Sequence, residues 1–103
     1  MGQRELCLEA LRHNPARADA YLNLGSITSL ERVELPDGRT MGQRELYLEA
    51  LRHNHAYAEA YFNLGCGTSP GERVKLPDGR TMGQRELLLE ALRRNPADAG
   101  AYF

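Results

Sequence analysis

The chain repeats itself, and that constrains its fold more than anything else in it. Residues 1–25, MGQRELCLEALRHNPARADAYLNLG, align without gaps to residues 41–65 and match at 20 of 25 positions, differing at Cys7/Tyr47, Pro15/His55, Arg17/Tyr57, Asp19/Glu59 and Leu22/Phe62. Residues 82–103 are a third copy, matching residues 1–22 at 17 of 22 positions. The joining segments SITSLERVELPDGRT and CGTSPGERVKLPDGRT make the period 40 residues the first time and 41 the second. A period of about 20–50 residues marks a stacked array, because one unit cannot bury its apolar face without a neighbour. Residues 1–103 therefore read as a single array of units 1–40, 41–81 and 82–103, the last cut short, taken from a longer one.

Each unit carries two helical signals and one strand signal. QRELYLEALRH sets Leu46, Tyr47, Ala50 and Leu51 at helical spacing, and Leu48 widens the stripe. Thr40-x-x-Gln43 and Thr81-x-x-Gln84 have the form of a capping box at the helix start. Asn54 suits a left-handed C-cap, and Pro15 or Pro96 in the next slot stops the helix. A second helix follows as ADAYLNLG or AEAYFNLG, rich enough in alanine to bring backbones close. After it, Val33 and Leu35 lie on one side of a short strand, Pro36-Asp37-Gly38 turns, and Arg39–Met41 returns. Val74, Leu76 and Pro77-Asp78-Gly79 repeat that hairpin. The expected fold is mainly α, helical pairs with short VxLPDGRT hairpins between the helices.

Composition removes several classes of function. Lys+Arg is 13 against 14 Asp+Glu, a net charge of −1, so no positive excess exists to displace counterions from a nucleic acid. Apolar runs fall far short of the ~20 residues a membrane span requires. The N-terminus lacks the apolar core of a secretory signal, and Leu6 stands where myristoylation wants Ser or Thr. Cys7 and Cys66 have neither metal spacing nor the density of a disulfide framework, which favours free thiols in the cytoplasm.

The candidates for chemistry read as structural. His13 and His53 close a helix where the third copy has Arg94, so a cation facing the helix dipole fits better than a metal ligand. Cys7 exchanges with Tyr47 and Leu88, as a packing residue would. Gly65-Cys66-Gly67 follows a helix and not a strand, unlike a phosphate-binding loop. Glu5/Glu9, Glu45/Glu49 and Glu86/Glu90 recur beside arginines as a solvated, salt-paired face. Catalysis needs an asymmetric constellation, whereas these polar groups are copied from unit to unit. Neither an enzyme nor a cofactor or metal is expected.

Tyr21-x-x-Leu24-Gly25 and Tyr61-x-x-Leu64-Gly65 supply an aromatic-x-x-Leu-Gly signature, and Tyr47/Ala50, Cys7/Ala10 and Leu88/Ala91 supply the facing helix. Pro15 and Pro96 fall five residues after that alanine and six before Tyr21 and Tyr102. In these features the chain resembles the tetratricopeptide repeat (TPR), a helix–turn–helix unit of about 34 residues. Thr28 and Thr68 replace a tyrosine of that family and Gln43 replaces an alanine, all flanking the hairpin. The extra length of about six or seven residues is one tight hairpin's worth. The resemblance implies a TPR-like helical-pair solenoid with the turn of each unit expanded into a β-hairpin.

In that family the first helices line a concave groove that receives a peptide or partner helix. Carried over by position, the implied groove residues are Asp19, Leu22, Asn23, Ser26, Glu59, Phe62, Asn63 and Cys66. Asn23 and Asn63 match an asparagine that bonds a ligand backbone, while Leu22 and Phe62 stand where carboxylate-binding members carry lysine. Leu22 and Phe62 have the alternative of packing against the next unit. VELPDGRTMGQREL is also similar, over only about fifteen residues, to the strand-to-helix segment of the U-box ubiquitin-ligase module. The expected function is a protein–protein interaction scaffold that binds a peptide or partner helix or self-associates. The alternatives are a structural or antigenic tandem repeat without a defined ligand and, last, a ubiquitin-ligase fragment. The ends expose Leu6, Leu8 and Leu11 and, opposite, Tyr102 and Phe103, which implies homo-oligomers formed head-to-tail or by helix exchange.

Overall fold

A computed structural model describes residues 2–28 and 31–94. They form, in chain order, α1 (Gln3–His13), α2 (Ala18–Ile27), β1 (Val33–Glu34), β2 (Thr40–Met41), α3 (Gln43–His53), α4 (Ala58–Cys66), β3 (Arg73–Lys75), β4 (Thr81–Gly83) and α5 (Gln84–Arg94). The chain is mainly helical with two small antiparallel strand pairs. Tyr102 and Phe103, expected at an exposed end, lie outside the described residues.

The hairpins form where the Pro-Asp-Gly turns were read. Val33 faces Met41 and Glu34 faces Thr40; in the second pair Val74 faces Met82 and Lys75 faces Thr81. The Gly38 amide donates to the Leu35 carbonyl at 2.9 Å, and the Leu35 amide donates to the Arg39 carbonyl at 2.7 Å. Gly38 closes this turn at φ +94°, a left-handed conformation that L side chains disfavour. Asp37 fixes the turn from its side chain, its carboxylate accepting the Arg39 amide at 3.0 Å. Val33 and Leu35 are both buried, as alternation on a short strand requires.

Both helix ends depart from the sequence expectation. The first helix of each hairpin-linked copy does begin at Gln43 and Gln84, but Thr40 and Thr81 belong to strands and cap nothing. The N-cap of α3 is Gly42, whose amide donates to Glu45 at 2.9 Å, and Gly83 donates likewise to Glu86. Hairpin pairing takes Thr40 two residues too early to cap, so a carboxylate inside the first turn captures the orphan amide instead. That amide is the chief cause holding the Glu45 and Glu86 carboxyls below the ordinary carboxylate range. At the other end Asn54 is extended, at φ −145°, not left-handed. Its side-chain oxygen accepts the Ala56 amide at 3.2 Å, and Asn14 does the same for Ala16, so asparagine makes an Asx turn into the next helix.

The helices joined by a hairpin, α2 with α3 and α4 with α5, pack most closely; α1 with α2 and α3 with α4 pack less closely, and α2 also reaches α4. Glycine allows the close pairs. A Cβ on Gly25 would stand 2.7 Å from the Tyr47 ring and 3.3 Å from Leu46 Cβ; one on Gly65 would stand 2.8 Å from Leu88 and 3.3 Å from Leu87 Cβ. Gln43 ties the same contact with a 2.9 Å bond from its amide nitrogen to the Gly25 carbonyl. Thr28 and Thr68 are buried at the C-termini of α2 and α4. Each hydroxyl returns to a carbonyl one turn back, at Leu24 and Leu64, which satisfies the group where the resembling family has a ring.

Candidate interaction surface

The eight residues carried over as a groove separate by exposure. Asn23 and Ser26 on α2 and Glu59 and Cys66 on α4 are exposed, and Asp19, Phe62 and Asn63 are half-buried. Leu22 is 2% exposed and belongs to the core, because α2 touches both α3 and α4 and closes its middle face. Phe62 packs against the same core from its edge. Leu22 therefore packs in the way left open by the sequence and offers no surface. Ser26 spends its hydroxyl on the Leu22 carbonyl of its own helix, at 3.0 Å. Asp19 accepts from Arg17 at 2.8 Å.

Asn63 and Asn23 stand in unlike hollows. Asn63 edges a cleft of about 30 Å³ with Gln43, Arg44, Tyr47, Leu64 and Gly67, space for a single water. Asn23 borders a groove of about 310 Å³ between α1 and α2, whose walls are Leu6, Cys7, Ala10 and Ala20 with Gln3, Arg17 and Asp19 at the rim. Leu6 is 57% exposed there, although its counterparts Leu46 and Leu87 are fully buried at 0%. Leu8 is half-buried, and Leu11, expected at the exposed end, is 3% exposed. Leu11 shares a hollow with Pro15, Tyr21, Leu35 and Pro36, so the first hairpin turn shelters it. Burial, then the charge of Asp19, pushes the Cys7 thiol up, so it stays protonated and packs as an apolar wall.

The carboxylates read as solvated are not alike either. The Glu49 side chain is 8% exposed and that of Glu90 3%, against 40% for Glu9. Around Glu49 the structure gathers Arg39 from the hairpin at 3.3 Å, Arg52 at 3.0 Å and His53 at 3.2 Å. Tyr21 of α2 receives a hydrogen bond from Arg39 at 3.4 Å and donates to the Pro15 carbonyl at 2.8 Å. Burial acts to raise the Glu49 carboxyl, and the Arg52 and Arg39 guanidiniums outweigh it, leaving the pKa lowered. A carboxylate so saturated with donors fastens elements together and has no proton to transfer near neutrality. The solvated, salt-paired face thus holds for Glu9, whereas Glu49 and Glu90 are salt-paired but buried. The groups covering Glu49 are Tyr21 and Arg39, distant in sequence.

The histidines follow the same plan. The rings of Tyr21 and His53 stack at 5.4 Å between centroids, 7° from parallel. In the next copy the Arg94 guanidinium lies 5.9 Å over the Tyr61 ring and bonds Glu90 at 2.8 Å. A last-turn histidine or arginine thus lies against the tyrosine of the helix before it, a position that sequence reading assigned to the helix dipole alone. The signal was present in the shared positions of Tyr21/Tyr61, Arg39/Arg80 and His53/Arg94, each a full element apart. His13 reaches Glu9, at 3.1 Å, and His55 is exposed.

Among the described residues, no group of three or more His, Cys, Asp or Glu could hold a metal ion, and no helix is long and apolar enough to cross a membrane. Comparison with protein-family models, with curated proteins and with solved structures finds no match to this chain.

Proposed function

We propose that the chain is a protein-interaction scaffold of tetratricopeptide-like helical pairs, stacked as a solenoid, whose open groove between α1 and α2 receives a peptide or a partner helix. The observation that carries this reading is the groove itself: apolar walls at Leu6, Cys7, Ala10 and Ala20, with the exposed carboxamide of Asn23 at its edge. Such a lining suits a short helix that buries small apolar side chains and is anchored by hydrogen bonds to its backbone. Further support comes from the polar groups, which serve the same joints in successive copies. Arg44 bonds Glu72 at 2.8 and 3.0 Å, and Arg4 bonds Glu31 in the same relation. These are framework contacts and leave the groove as the surface on offer.

The test is a helical-peptide display screen against the folded chain, repeated with Asn23→Ala and Leu6→Glu. Both residues are exposed, so the fold survives either change. Selected peptides are expected to lose about tenfold or more in affinity, as for the loss of a buried anchor. Peptides that bind both variants as they bind the original refute the groove.

A further inference from the structure

Both hairpins turn through Pro-Asp-Gly-Arg, and Asp37, Gly38, Asp78 and Gly79 are all exposed. An aspartyl–glycine bond has a reaction open to it, because glycine has no Cβ to hinder attack by its own nitrogen on the carboxyl carbon one residue back. The N–Cγ bond forms, the Cγ–O bond of the protonated carboxyl breaks, and the hydroxyl leaves with the amide proton as water. Water then reopens the five-membered succinimide at either carbonyl, giving aspartate or isoaspartate, so no oxidant or other reactant is needed. The hairpin engages every group that must move. The Gly38 amide, the nucleophile, donates to the Leu35 carbonyl at 2.9 Å, as Gly79 does to Leu76. One Asp37 oxygen accepts the Arg39 amide at 3.0 Å and the other accepts Arg39 Nε at 2.6 Å; Asp78 holds Arg80 at the same distances. The amide of that arginine, and after it the guanidinium, lowers each carboxyl and keeps it in the ionised form, which has no hydroxyl to lose. Arg39 in turn reaches Glu49 at 3.3 Å and the Tyr21 hydroxyl at 3.4 Å, and Arg80 reaches the Tyr61 hydroxyl at 3.3 Å.

We infer that Asp37 and Asp78 are two sites of aspartate isomerisation that their hairpins hold shut, and that conversion of Asp37 to isoaspartate releases Arg39 from the joint at Glu49 and Tyr21. Ring closure requires the glycine amide to leave its carbonyl and the carboxylate to leave its arginine, so it proceeds from chains in which the hairpin has opened. The rate at each site is thereby tied to the local opening of that hairpin. Isoaspartate routes the main chain through the former side-chain carbon, which adds one methylene to the turn and leaves the free carboxylate on the α-carbon. The bond from Gly38 to Leu35 and the pair of acceptors facing Arg39 both depend on the original backbone length, so one change undoes both. The turn is therefore a latch on the buried joint as well as a connection between strands.

Ageing of the 103-residue chain at neutral pH, native and in concentrated urea, tests it. Isoaspartate is read by peptide mapping with a protease that cuts before aspartate and not before isoaspartate. Both sites are expected to convert about tenfold or more slowly in the native chain, as for an open hairpin populated at about 10% or less. Equal rates in the two conditions overturn the inference. Arg39→Ala should speed native conversion at Asp37 about fivefold or more, for the loss of a charge-assisted bond, and leave Asp78 unchanged. Arg80→Ala should do the reverse. Acceleration of both sites by either variant would mark general unfolding and overturn the separate latches, and acceleration of neither would remove the arginines as latches. The chain converted at Asp37, isolated after ageing and refolded, should unfold at a lower denaturant midpoint than the unconverted chain. An unchanged midpoint overturns the release of Arg39.

Discussion

A methyl group added at Gly25 tests how the helical pairs are built. In an isolated helix interior, glycine to alanine is stabilising by about 1 kcal/mol. Here the added Cβ would stand 2.7 and 3.0 Å from two Tyr47 ring carbons and 3.3 Å from Leu46 Cβ. Carbon atoms rest at about 3.5–4.0 Å, so the overlap with the ring reaches roughly 1 Å. The ring moves as a plate and is only 6% exposed, while Leu46 Cβ is fixed by its backbone. Overpacking of this kind costs about 1–3 kcal/mol, and subtracting the helix gain leaves a net loss of up to about 2 kcal/mol. At Gly65 the clashing atoms are mainly Cδ2 and Cγ of the half-buried Leu88, which can turn aside, so Gly65→Ala should stay within about 0.5 kcal/mol of the original. The assay is denaturant unfolding followed by far-UV circular dichroism. Tyr47→Leu, which installs the residue found at the third copy's position, should recover most of the Gly25→Ala loss when combined with it. A Gly25→Ala chain stabilised by the full helix gain of about 1 kcal/mol would refute the claim that α2 and α3 meet at this glycine.

Other outcomes follow from burial and charge. Leu46→Ala, at a site with 0% exposure, should cost about 2–5 kcal/mol, while Leu6→Ala, at the same repeat position but 57% exposed, should stay within about 0.5 kcal/mol; equal losses in thermal or denaturant melts would contradict the burial pattern. Glu49→Gln should destabilise by about 1–3 kcal/mol because Arg39 and Arg52 lose the charge they converge on, and Glu9→Gln by only a few tenths, as read by the same melts. Glu72 is held down to about 2, chiefly by Arg44 and then by the Ser69 amide, from an ordinary value of 4.5. A lowered carboxyl contributes stability that is complete above its unfolded pKa and is lost as pH falls through the folded one. Glu72→Gln should therefore be the less stable chain at neutral pH, and the gap should close between pH 4.5 and about 2; a gap independent of pH would remove Arg44 as its cause.

How far the sequence could be read is clearest in Glu9, Glu49 and Glu90. All three sit in the same local string, Leu-Glu-Ala-Leu-Arg, and all three are helical. Period and turn chemistry act over a few residues, which is why the helices and the Pro-Asp-Gly hairpins were legible. The Thr40 box and the left-handed Asn54 were misread for a related reason: each motif fits its own few residues. Hairpin pairing then claimed Thr40, and an Asx turn claimed Asn54. Burial is set by elements far along the chain. Glu49 is covered because Tyr21 and Arg39 arrive from the helix and the hairpin before it, and the same string at Glu9 remains 40% exposed. The local code thus specifies a helix with a carboxylate on its flank, and the neighbouring unit decides whether that carboxylate is a solvated charge or the centre of a joint. The groove follows the same logic. Cys7 and Tyr47 occupy one repeat position, and so do Leu6 and Leu46; α2 covers Leu46, while Leu6 lines an open hollow.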